Sequence, residues 1–84
     1  MNEEQIRFLS VQEAMQIVAA IQEEEDIHNP GRRILTVYNH DDREVCWFDY
    51  DELIEAVGPV AKGELKEAVQ NYILMHIPDW ALDL

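Results

Sequence analysis

The spacing of apolar and polar residues changes period along this chain, and each change marks an element. Val11, Ala14, Met15, Val18 and Ile21 recur at intervals of three and four, with Ile17 widening the stripe. That is the period of one helix face. Ser10 precedes it and Glu13 follows three residues later, the arrangement in which hydroxyl and carboxylate satisfy free backbone donors at a helix start. The pattern predicts a helix over 11–25. It ends on Glu23-Glu24-Glu25-Asp26, negative charge where the helix dipole is already negative, and no nearby basic residue offsets this small cost. Ahead of it, residues 1–9 read as a short leading turn with Ile6, Phe8 and Leu9 available to pack.

After the turn sequence Asn29-Pro30-Gly31 the period falls to two. Residues 34–38 (Ile-Leu-Thr-Val-Tyr) are β-branched and aromatic and predict a strand. Asn39 to Asp42 supply turn chemistry, and residues 44–50 read as the returning strand of a hairpin. Both hairpin faces carry large apolar groups. Leu35, Val37, Val45 and Trp47 are expected on one, and Ile34, Tyr38, Cys46, Phe48 and Tyr50 on the other. A lone hairpin is marginal in water, so helices should cover one face. The second needs the N-terminal segment, a twin hairpin or a partner.

Helical spacing then returns. Asp49 or Asp51 can cap a helix over 51–57 bearing Leu53, Ile54 and Val57, and Gly58-Pro59 ends it. A third helix is predicted over 64–77, with Leu65, Ala68, Val69, Tyr72, Ile73 and His76 on one face. Pro78 stops it, and residues 79–84 add a final turn whose Trp80 is expected to fold back on the core. The reading is a small α+β domain spanning 1–84, order α-β-β-α-α, with a β-hairpin packed against three helices. No repeat, linker or low-complexity tract interrupts it.

Charge changes the picture more than composition does. The chain has 84 residues, 18 of them Asp or Glu against six Lys or Arg, for a formal net charge of -12. A small domain ordinarily carries a net charge of magnitude about 2–8. Such an excess opposes direct binding to nucleic acid or an anionic membrane, both of which need a cationic footprint. An electrostatically guided partner should therefore be basic. With one cysteine, Cys46, no internal disulfide can form, and the chain shows no apolar run near 18 residues and no leader sequence. A reducing, cytoplasmic setting is expected, with Cys46 as a core thiol.

Catalytic and metal chemistry find little support. His28, His40 and His76 fall on a loop, a turn and a helix, without the paired spacing of a zinc site. The run Glu23 to Asp26 lacks the alternation and glycine of a calcium loop. No phosphate loop, dinucleotide fingerprint or nucleophile elbow occurs. No enzyme activity, cofactor or metal is expected.

What remains is the segment DDREVCWFDYDE, residues 41–52, where six carboxylates surround aromatic rings. Rings supply buried area at an interface, and ringing charges steer and select. Candidate partner-binding acids are Glu23, Glu24, Glu25, Asp26, Asp41, Asp42, Asp49, Asp51, Glu52 and Glu55, acting as phosphate surrogates toward Arg or Lys. Candidate aromatic anchors are Tyr38, Trp47 and Phe48. The function this implies is a non-catalytic acidic module, an inhibitor or modulator that docks on the basic surface of a nucleic-acid-handling protein. In size and charge alone the chain is similar to small phage and mobile-element proteins that block nucleases, repair enzymes or CRISPR effectors, the anti-CRISPR and anti-defence type. The alternative is a small accessory or scaffold protein that forms a homodimer through the hairpin.

Overall fold

The computed structural model describes residues 7–84. The leading turn expected over 1–9 lies mostly outside the described residues, Ile6 with it. Leu9 is buried, and its N–H donates to the Ile77 carbonyl at 2.8 Å. The capping box forms as expected: Glu13 N–H donates to Ser10 Oγ at 3.2 Å and Ser10 N–H to Glu13 Oε1 at 3.2 Å. The helix it starts, α1, covers only Val11–Ile17.

A strand, β1, takes over at Val18–Glu25, so the helix expected over 11–25 is half strand. The acidic run supplies the reason. As a helix terminus it would concentrate like charge against the dipole. As a strand its carboxylates separate and find donors. Glu23 pairs with Arg33 at 3.2 Å, and Glu24 accepts from the Thr36 hydroxyl at 2.8 Å and the Tyr38 hydroxyl at 2.6 Å.

β1 pairs antiparallel with β2, Arg33–Asn39, which pairs antiparallel with β3, Glu44–Asp49. The sheet order is β1-β2-β3. The element order is therefore α-β-β-β-α-α plus short 3₁₀ turns, with one strand more than the sequence pattern suggested. The α+β class stands. β1 also occupies the β2 edge along which a twin hairpin could have paired.

The hairpin faces differ from the expectation too. Val37 pairs with Cys46 and Leu35 with Phe48, while Tyr38 pairs with Glu44, which leaves Val45 as an extra residue in a bulge. Directly paired residues share a face, so Cys46 and Phe48 join Leu35 and Val37 on the helix side. The bulged Val45 is buried as well. Trp47, paired with Thr36, lies on the other face and outside the core cluster. Asn39 holds the hairpin turn: its side-chain oxygen accepts the N–H groups of Asp41 and Arg43, each at 2.9 Å. Asp42 sits there at φ 61°, a left-handed conformation that Asp tolerates in turns.

Helix α2, Tyr50–Val57, begins one residue earlier than expected, with Asp49 as its cap. Gly58 ends it at φ 81°, a backbone position that favours glycine. Helix α3, Leu65–Leu74, stops short of residue 77: residues 75 and 76 form a closing turn, and Pro78 disfavours helical backbone at Ile77. His76 consequently lies beyond the helix rather than on its face. Its ring stacks on Tyr72 at 4.1 Å and meets Phe8 edge-on at 5.0 Å.

The core joins all of these elements. Ala14 of α1, Leu53 of α2, Val69 and Ile73 of α3, and Val37 and Val45 of the sheet are buried together with Ile77 and Ala81. Full burial of a side chain such as Ile73 or Ile77 contributes about 1.5–3 kcal/mol. In the 3₁₀ turn Asp79–Asp83 it is Ala81 that docks. Trp80 stays 49% exposed, contrary to expectation, because a single tight turn can bury only one side of itself.

Candidate functional site

The site is built around Arg32, which precedes β2. Its Nε–H donates to Asp49 Oδ2, and its Nη1 lies 4.0 Å from Asp26 Oδ2. One cation thus ties the turn between β1 and β2 to the start of α2. Asp49 is doubly used: its Oδ1 accepts the Glu52 N–H at 3.0 Å and caps α2. Asp26 accepts the His28 N–H at 2.9 Å and the Asn29 side-chain amide at 3.2 Å, and Glu25 accepts the Gly31 N–H at 2.8 Å. Short-range donors thereby fix three of the candidate acids in place.

These bonds favour the charged form. Donation from Tyr38, then Thr36, holds Glu24 below the usual carboxylate range. The His28 N–H, then the Asn29 amide, do the same for Asp26. The Glu52 N–H, then Arg32, lower Asp49. In return the Asp49 carboxylate raises Arg32, and Glu24 raises Tyr38. Burial pushes the Cys46 thiol up to about 11, with Glu44 adding to the effect.

Trp47 is 50% exposed and stands between two hollows. One, of about 460 Å³, is bordered by Glu24, Glu25, Asp26 and Glu44, with Ile27 and Ile34 as apolar lining. The other, of about 710 Å³, is bordered by Asp49, Glu52 and Glu55, with Phe48, Leu53 and Tyr72. Trp47 and Arg32 line both. Six of the ten candidate acids (Glu24, Glu25, Asp26, Asp49, Glu52 and Glu55) therefore converge around one indole.

The other four do not. Glu23 lines a separate hollow between β1 and α3 with Lys62 and Lys66. Asp41 and Asp42 lie in the β2–β3 turn, at the opposite end of β3 from Asp49. Asp51 is exposed in the first turn of α2 and borders neither hollow at Trp47. Of the aromatic candidates, Trp47 is central and Phe48 packs on the core while bordering one hollow; Tyr38 serves Glu24. Glu44, Ile27 and Arg32 belong to the site and escaped sequence reasoning. The basic pair Arg32-Arg33 between two acid clusters was the available signal for Arg32. Ile27, 86% exposed in a polar turn, was an apolar residue out of place.

Among the described residues, no group of three His, Cys, Asp or Glu side chains is placed to hold a metal ion, and no helix is long and apolar enough to cross a membrane. Set against known proteins, the chain matches no family model, no curated protein and no solved structure.

Proposed function

We propose that this protein is a non-catalytic, acidic protein-binding module that docks on a basic surface of a nucleic-acid-handling protein and competes there with nucleic acid, as a phage-type inhibitor would. The observation that carries this reading is the convergence of six candidate carboxylates and Glu44 on Trp47. An exposed indole offers area and a cation–π face to an Arg or Lys. The surrounding acids supply the long-range field that steers a cationic partner. The lowered pKa values of Glu24, Asp26 and Asp49 support binding over proton transfer at those three groups, since a general acid or base at neutral pH needs a carboxylate raised toward neutrality. A cytoplasmic setting fits the free, half-buried thiol of Cys46.

A second reading, self-association through this same face, is favoured by the exposure of Ile27 and Trp47. Affinity capture from the native host followed by partner identification separates the two. Docking on a basic surface predicts a cationic partner whose association rate falls steeply with salt. Recovery of an acidic partner bound equally well in high salt contradicts it. A salt-insensitive mass of two chains in sedimentation supports self-association instead.

A further inference from the structure

The hollow beside α2 opens on the outer edge of β3. Trp47 and Phe48 point to opposite faces of that strand, Trp47 with Thr36 and Phe48 with Leu35. Both nevertheless border the 710 Å³ hollow, and a hollow touched from both faces of a strand lies along its edge. Its far wall is α2, through Glu52, Leu53, Glu55 and Ala56. Among the described residues β3 has no strand on that side, so its outward backbone N–H and C=O groups are open to another chain.

We propose that the outer edge of β3 accepts an extended, basic segment of the partner as a fourth strand. This rests on the acidic docking reading and adds its geometry. Only an extended chain can satisfy a free ladder edge, and its period of two sends alternate side chains to one side. On the α2 side those side chains meet Glu52 and Glu55; on the other they meet Trp47. The segment is basic because the one cation of the hollow, Arg32, is already engaged by Asp49. A second copy of this chain fits poorly, since pairing β3 with β3 would bring two sets of these carboxylates together.

The test uses the isotope-labelled protein and a synthetic peptide of alternating Arg and Val, about seven residues long to match the strand at ~3.3 Å per residue. Two further peptides carry N-methyl groups on one or the other alternate set of backbone nitrogens. The parent peptide should bind at low salt and slow hydrogen exchange at outward amides within Glu44–Asp49. One methylated set should lose about tenfold or more in affinity, as expected for two or three missing ladder bonds, and the other set should not. Replacing Glu52→Gln and Glu55→Gln together should weaken the parent peptide, and no change overturns the placement beside α2. If all three peptides bind equally and exchange in β3 is unaltered, the edge proposal fails while acidic docking survives. If none binds even at low salt, both fail.

Discussion

Arg32 donates to the same Asp49 carboxylate that caps α2, so one ion pair joins the start of that helix to a side chain that borders both acidic hollows. The Arg32 side chain is 40% exposed and that of Asp49 only 9%, which shields the pair from full screening. Asp49→Ala removes the cap and strands Arg32. It should lower the urea midpoint clearly, whereas Asp49→Asn, which keeps a good capping side chain, should lower it less. Equal midpoints for both variants and the parent would mean that the pair has no role in holding α2.

The three stabilised carboxylates give a pH dependence with a definite sign. Glu24, Asp26 and Asp49 titrate lower in the folded chain than their ordinary values of 4.5, 3.8 and 3.8. The unfolded chain therefore takes up protons first as pH falls. Their contribution is complete above the ordinary carboxylate range and is lost as pH drops through the lowered values. The difference in unfolding free energy between the parent and a Glu24→Gln, Asp26→Asn, Asp49→Asn variant isolates these groups. That difference should shrink as pH falls from 6 to 2 (a span covering the usual carboxylate pKa of about 4). A constant difference would contradict the assignment.

Trp47 and Leu53 should separate binding from folding. Leu53 is 2% exposed in the core, and Leu53→Ala should cost about 2–5 kcal/mol in denaturant unfolding. Trp47→Ala, at a half-exposed position on the open face, should cost far less stability but weaken partner binding by about tenfold or more, the loss expected of an aromatic anchor. Comparable unfolding losses for the two would place Trp47 in the core.

Cys46 should be slow to alkylate. Its thiol is pushed up to about 11 from an ordinary 9.0, so near pH 8 the thiolate is about a hundredfold rarer than in the unfolded chain. Iodoacetamide labelling, native against urea-unfolded, reads this directly. Equal rates would show that the packing of Leu35, Val37 and Cys46 on the helix side is wrong.

The elements legible in the sequence were those with local chemistry. The Ser10–Glu13 box, the Asn39 turn and Gly58 each act within a few residues and stand where the pattern put them, and of the two caps it offered, Asp49 and Asp51, it is Asp49 that caps α2. β1 was not legible, because Val18 and Ile21 fit a helical stripe as well as a strand and the donors that satisfy Glu23 and Glu24 are ten or more residues away. The bulge at Val45 was equally hidden. One extra residue reverses the face of everything after it, and so moved Trp47 off the face it was expected to share with Leu35 and Val37. For the candidate site, the acid runs were visible but their convergence was not. Turns bring Glu24–Asp26 beside Asp49–Glu55, while Asp41 and Asp42 end up at the far end of the strand.

The central claim is that acids gathered at Trp47, and not the net charge of -12 alone, recognise the partner. The most direct measurement compares two variants of equal charge against the captured partner. One carries Glu44→Gln, Glu52→Gln and Glu55→Gln around Trp47; the other carries Asp41→Asn, Asp42→Asn and Asp51→Asn away from it. Association is followed from about 0.1 M to about 1 M salt, where the screening length shrinks from ~10 to ~3 Å. The first variant should associate more slowly, dissociate faster and show a shallower salt dependence, while the second stays close to the parent. Equal behaviour of the two variants, or full binding by the first, would contradict the account.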